Sequence, residues 1–398
     1  MSDYPPLSVG PGAEARRARR AVVGLFAVNG LTYSSLVPWL PAIKNQLELS
    51  NAALGTAIAA MPLGALLTGM LAGPLIAGFG SGRTAAVTGP LAAWTLPVAA
   101  LAPNWWVLAA ALFAAGCADT WCDSAMNAHG LRVQRRYGRS IVNTFHAVWS
   151  VAAVAGGLLG SAMIGLGVPM PVHLTGVAVA LTAVSAMASR LLLDGPEHAE
   201  RSDGHGPAGL PRRPTAGALG LVAALGVLLM LAGAVEDAAA SWGAVYLRDE
   251  IGAATFLVGL PFVACQAMMT LGRTVGDRMT DAFGAVAVAR SGLLLSAAGL
   301  GAALLLPGTA TTVVGFGLCG LGVATLFPLA LAAAGEIPGV RSGDGVAAVS
   351  WLARLGFLGF PPLVGLVADA ASLRVGLAVF PVAALAAAAL AWSLRPRS

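Results

Sequence analysis

Charge is what this chain has least of. Only 10% of its 398 residues are Asp, Glu, Lys or Arg, against 57% hydrophobic residues and a mean hydropathy of +0.80. Soluble domains carry roughly a quarter of their residues charged, so an ordinary soluble domain is excluded. Lysine is scarcer still, Lys44 being the only one. No Gly-x-x-x-x-Gly-Lys-Ser/Thr loop is present to cradle a nucleotide's phosphates, which argues against direct ATP use. The four cysteines, Cys117, Cys122, Cys265 and Cys319, all fall within apolar runs. That placement argues against a disulfide framework or a thiolate zinc site. His-Glu-x-x-His spacing is also missing, so neither a metal nor a cofactor is expected. Nothing near the N-terminus resembles a short apolar core followed by a cleavage site. The basic cluster Arg16–Arg20 runs directly into a long apolar segment, the pattern of a retained first helix. Arginine in place of lysine, short loops and no Asn-x-Ser/Thr sequon point to a bacterial protein.

About twelve apolar runs of roughly 20 residues fill the chain, each long enough to cross ~30 Å of hydrocarbon as a helix. The spacing places them near 20–43, 52–78, 84–102, 106–131, 141–167 and 171–193, then 216–247, 253–273, 285–307, 311–336, 343–369 and 373–394. With the N-terminus inside, the inner side receives eighteen basic residues, including Arg16, Arg83, Arg132, Arg190, Arg273, Arg278, Arg341 and Arg397; the outer side receives only Lys44, Arg248 and Arg374. Arg290 and Arg354 stay within spans. This positive-inside bias predicts an inner-membrane protein with both termini cytoplasmic. The net charge of +5 follows from these membrane-flanking arginines, which are read as topology and headgroup signals and not as a nucleic-acid surface.

Between the sixth and seventh runs lies the only long polar stretch, from Asp194, with Pro196, Pro207, Pro211 and Pro214. It divides the chain into a six-helix bundle over 1–193, a cytoplasmic linker over 194–214 and a second six-helix bundle over 215–398. The expected fold is therefore an all-α membrane protein, twelve transmembrane helices in two pseudo-symmetric six-helix bundles, monomeric in the lipid bilayer. An internal echo supports the repeat: Ala77-Gly78-Phe79-Gly80 after the second run matches Asp281-Ala282-Phe283-Gly284 after the eighth, 204 residues later.

In these loops the chain resembles the major facilitator superfamily, whose Gly-x-x-x-Asp-x-x-Gly signature is followed by basic residues. Gly73, Gly80 and Arg83 form a degenerate first copy, with Ala77 in the place of the acid. The second copy keeps Asp281 and Gly284, preceded by Arg273, Asp277 and Arg278. The resemblance implies that these eight residues latch the cytoplasmic helix ends in one state of a transport cycle.

Polar groups at membrane depth are costly, so each marks a functional candidate. Asp119, Asp123 and Asn127 recur every fourth residue on the fourth run and share one helix face. Adjacent carboxylates are suited to taking up a proton, and Asp119, Asp123, Glu236 and Asp237 are the proton-coupling candidates. Asp123-Ser124-Ala125-Met126-Asn127 resembles an acidic segment of the fucose–proton symporter branch, which implies a substrate and proton role for Asp123. Where that branch has an acid four residues before the first-span proline, this chain has Ser34, which puts fucose itself in doubt. Phe145-His146 with Ser150, and Leu355-Gly356-Phe357 with Pro361-Pro362, resemble bacterial relatives of the same branch.

Candidates for holding a small polar solute are Asn29, Thr32 and Tyr33 on one face of the first run, with Asn127, His146, Trp149, Ser150, Trp351 and Arg354. Arg354 is the buried cation expected to neutralise Glu236 or Asp237. Trp39, Trp105, Trp106 and Trp242 read as interfacial anchors. The leading expectation is secondary active transport of a sugar-like or organic metabolite, with a proton as coupling ion. The alternative is proton-driven efflux, against which Ala152-Ala153-Val154-Ala155-Gly156-Gly157 lacks the Gly-Pro of antiporters. A membrane-embedded enzyme or a transporter-like receptor is the reading from another class.

Overall fold

The computed structural model describes residues 12–195 and 215–395. Most of the expected linker, residues 196–214, and the last three residues lie outside the described residues. Among the described residues twelve helical rods run up and down: α1 Ala13–Gln46, α2 Asn51–Phe79, α3 Ser81–Ala100, α4 Trp105–Tyr137, α5 Val142–Gly165 and α6 Met170–Ser189 form the first half. The second half comprises α7 Ala216–Gly243, α8 Thr255–Phe283, α9 Ala285–Leu305, α10 Thr309–Gly335, α11 Gly343–Ala370 and α12 Leu373–Leu394. Eleven of the twelve are long and apolar enough to cross a membrane. The twelfth, α3, carries Ser81, Arg83, Thr84, Thr88 and Thr95 over its 20 residues and is not among those eleven.

Local chemistry sets the ends. Side-chain oxygens of Ser50, Asn104, Thr215 and Ser372 accept from backbone N–H groups of Ala53, Val107, Ala218 and Val375, capping four helix starts. Proline punctuates α1, where Val37-Pro38-Trp39 tightens into a 3-10 turn before the rod resumes at Leu40. The echo seen in sequence is also a conformational one. Gly80 (φ 84°, ψ 147°) and Gly284 (φ 81°, ψ 152°) turn the chain between α2 and α3 and between α8 and α9, in a region open to glycine.

The two halves repeat one packing scheme. In the first, α1 packs on α5 and α6, α2 on α4, and α3 on α4 and α6; in the second, α7 packs on α11 and α12, α8 on α10, and α9 on α10 and α12. Small residues permit backbone contact: a Cβ on Gly116 of α4 would strike the Met61 carbonyl of α2, and one on Gly64 the Phe113 carbonyl. Between the halves, α2 meets α11 and α5 meets α8. These contacts gather at the end that carries Lys44, Asp249 and Asp369, which is sealed. At the other end, where the arginines cluster, Met70, Phe79 and Phe283 are exposed.

The interfacial tryptophans need correction. Trp106 is exposed, but Trp39 and Trp242 are buried; Trp39 donates to His173 Nδ1 at 2.9 Å. They are core residues whose position near helix ends imitates anchoring. All four cysteines are free and buried.

Candidate functional site

A mainly apolar cavity that carries several charged and polar groups lies between the halves at mid-helix depth, in two adjoining lobes. One, of about 320 Å³, is lined by Tyr33, Met61, Asp119, Asp123, Asp237, Arg354 and Phe357 among others. The second, of about 270 Å³, shares Tyr33, Met61, Asp119, Asp123, Asp237 and Phe357 and adds Asn29, Trp149, Glu236 and Gln266. All four predicted acids therefore face one space, two from each half.

Hydrogen bonds fix several of these groups. The Trp149 indole N–H, which can only donate, reaches Asn29 Oδ1 at 2.7 Å. That turns the Asn29 amide so that its N–H₂ donates to Asp119 Oδ1, also at 2.7 Å. A single asparagine thus couples α5, α1 and α4. Asp123 accepts from Asn127 Nδ2 at 2.9 Å, and is itself exposed to the cavity. His146 and Arg354 are the basic side chains that act on it. Asp237 accepts from Ser241 on its own helix, where the backbone widens into a π turn over Ala239–Gly243. Glu236, about 100° around the helix from its neighbour, instead meets Arg273 Nη2 at 3.8 Å.

This last contact overturns two expectations. Arg273 is not part of a cytoplasmic latch: it lies ten residues before the end of α8, about 15 Å inside the helix. Its charge faces Glu236 at membrane depth. Arg354 is in turn not the partner of the α7 acids, since no carboxylate stands within ion-pair distance of it among the described residues. The repeat explains both positions. Eleven residues before Gly284 stands Arg273; eleven before Gly80 stands Gly69, where α2 loosens into a 3-10 turn. Arg354 Nη1 comes within 3.3 Å of where a Gly69 Cβ would sit. The first half has a glycine where the second has Arg273, and an arginine of the second half reaches across to that place.

Other predicted residues fall outside the cavity. Trp351 is 52% exposed and does not line it. Ser150 is buried and donates to the His146 carbonyl of its own helix. Thr32 likewise bonds the Val28 carbonyl and lines a narrow cleft behind Asp119. His146 lies edge-on to Phe26 at 5.3 Å, at the open side. For Trp351, Ser150 and Thr32 the helix turn, not the residue type, decides which way the side chain goes. Arg290, given no role, donates to the Ala388 carbonyl at 3.4 Å. Gly73, Gly80 and Arg83 line a groove at the arginine-rich end, and Asp277, Arg278, Asp281 and Gly284 are exposed across from it. The cavity also uses residues that the sequence did not single out. Gln266 is a lone amide in an apolar run and was detectable; Met61 and Phe262 carry no signal that separates them from core.

A cavity with a few convergent charged groups between two repeated six-helix bundles, closed at one end, is the architecture of a membrane transporter. The Major Facilitator Superfamily model matches residues 22–277. An uncharacterized transporter of Sinorhizobium fredii is 30% identical over 372 residues, covering 92% of this chain and 97% of its own. Membrane protein MosC of Rhizobium meliloti is 30% identical over 387 residues, covering 95% and 90%. The chain belongs to the Major Facilitator Superfamily. Its fold matches the nucleoside transporter NupG (TM-score 0.71, 16% identity, 96% and 98% covered). It also matches a bacterial homolog of the human lysosomal transporter Spinster, inward-facing and unoccupied (TM-score 0.75, 14% identity, 97% and 98% covered). The protein is an integral membrane transporter, not an enzyme.

Proposed function

We propose that this protein is a secondary active transporter that carries a small polar solute across the bacterial inner membrane by alternating access, coupled to protons. The supporting observation is the convergence of Asp119 and Asp123 from one half and Asp237 from the other on a single cavity. A carboxylate at membrane depth is costly unless it is paired or takes up a proton, and a proton carrier must do both in turn. Asp123 is open to water in the cavity and lies in the field of Arg354 from the opposite half. Its charge state is thereby tied to how the halves sit. Asn29, Tyr33, Trp149, Gln266 and Arg354 supply the groups that orient a polar solute.

The arginine distribution supports a reading in which the sealed end faces outside and the open end, with both termini, faces the cytoplasm. Gly73, Gly80, Arg83, Asp277, Arg278, Asp281 and Gly284 then stand at the cytoplasmic mouth, where they would meet when it closes. The likeness of Asp123–Asn127 to the symporter branch favours symport over efflux.

The test is transport by purified protein in proteoliposomes, after a screen of labelled sugars, polyols and organic acids. Asp123→Asn is expected to abolish proton-driven accumulation while solute counterflow, which moves no net proton, survives at least in part. Asp119→Asn is expected to act more mildly. Uphill, pH-dependent accumulation by the Asp123→Asn protein would remove Asp123 as the proton site and pass the role to Asp237 or Glu236.

A further inference from the structure

The sealed end is held by a carboxylate from the opposite half. Asp369, near the end of α11, accepts from the backbone N–H of Asn51 at 2.9 Å and of Ala52 at 2.8 Å. It also accepts from Asn51 Nδ2 at 3.0 Å. Those two N–H groups open α2 and have no partner within their own helix. Ser50 covers the next donor, Ala53 N, at 3.1 Å. The cap of α2 is therefore composite, one acceptor from its own half and one carboxylate from the other. That negative charge also faces the positive end of the α2 dipole.

The backbones are brought together to allow it. A Cβ on Gly365, one turn before Asp369, would strike the Asn51 carbonyl; one on Gly55 would strike the Pro361 carbonyl. A side chain at either glycine holds α11 off and lifts the carboxylate from the N–H groups. A second fastening, Lys44 Nζ to Asp249 Oδ2 at 2.7 Å, joins the end of α1 to the segment after α7 and uses the chain's only lysine. Both contacts run between the halves, so both break whenever the halves rock apart at this end.

We propose that Asp369 is a positioning residue of the transport cycle: an N-cap in trans that locks α2 to α11 and weights the equilibrium toward the state closed at this end, with Lys44–Asp249 as an auxiliary fastening. The inference rests on the alternating-access reading above. When the end opens, water satisfies both the α2 N–H groups and the carboxylate, which keeps the lock reversible. Removing a charged cap is worth roughly a 5- to 30-fold change in a two-state ratio.

The experiment uses the full-length protein in nanodiscs, freed of native cysteines. Spin labels sit at Pro103 and Pro307, exposed in equivalent loops of the sealed end, or at Ala77 and Ala282 at the other end. Pulsed electron–electron distances are read for wild type, Asp369→Ala, Asp369→Glu and Lys44→Met. Asp369→Ala is expected to lengthen the Pro103–Pro307 distance and shorten the Ala77–Ala282 distance, with Asp369→Glu restoring the wild-type proportions. Lys44→Met is expected to shift them in the same direction by less. Two populations in wild type with unchanged proportions in Asp369→Ala would overturn the lock and leave alternating access standing. One population in every variant, Asp369→Ala with Lys44→Met included, would overturn both. Should Asp369→Ala not fold, Asp369→Asn removes the charge at equal size and is read in the same way.

Discussion

Replacing Arg273 by leucine leaves Glu236 at membrane depth without its counter-charge. At the observed 3.8 Å separation, two unit charges attract by about 4 kcal/mol at an effective dielectric constant of ~20. Water reduces this, because 40% of the Arg273 side chain and 24% of Glu236 are exposed. About 1 kcal/mol of net attraction survives such screening. Stranding the acid adds to the loss, though by less than the roughly 3–5 kcal/mol of a fully buried pair. Arg273→Leu is therefore expected to destabilise by roughly 1–2 kcal/mol, and adding Glu236→Gln to recover most of it. An SDS-unfolding titration of both single variants and the double variant measures the coupling directly. Arg354→Leu serves as the control and is expected to show no coupling to Glu236→Gln. Additivity of the Arg273 and Glu236 changes within about 0.3 kcal/mol would refute the pairing. Rescue of Arg354→Leu by Glu236→Gln would return the α7 acid to Arg354.

Asn29→Ala removes the donor to Asp119 and the acceptor of Trp149 together, and is expected to lower solute affinity by at least tenfold; Trp149→Phe, which spares the Asn29–Asp119 bond, is expected to cost less, both read by equilibrium binding. Gly116→Ala and Gly365→Ala both drive a methyl into a backbone carbonyl but at different interfaces. The first, within one half, is expected to lower thermal stability in detergent; the second, between halves, to leave stability near wild type and increase labelling of a cysteine at Pro103. Equal loss of stability in both would show that the inter-half seam is as permanent as the core. In sealed cells a cysteine at Gln46 is expected to react with an impermeant thiol reagent and one at Ala282 to be protected; the reverse pattern would invert the topology.

The helices, their number and the repeat were legible in the chain because a bilayer imposes a simple rule. Backbone polar groups must be satisfied within each crossing segment, so length and hydropathy mark eleven of the helices, and the two-fold repeat supplies α3. The acids at 119, 123, 236 and 237 stood out for the same reason: a charge costs so much in hydrocarbon that its presence there marks a candidate, and the fold brings all four to one cavity. Pairing was not. Which cation meets Glu236 depends on where Arg273 sits along α8, a matter of the helix running on to Phe283 and not stopping near residue 273. Trp351 and Ser150 are polar enough to suit a pocket, but the rotation of α11 and α5 turns them elsewhere. Nor does any local pattern near Asp369 state that it caps a helix more than three hundred residues away. Sequence carries the cost of placing each group in the membrane; only the packing of two halves against each other decides which groups meet to offset it.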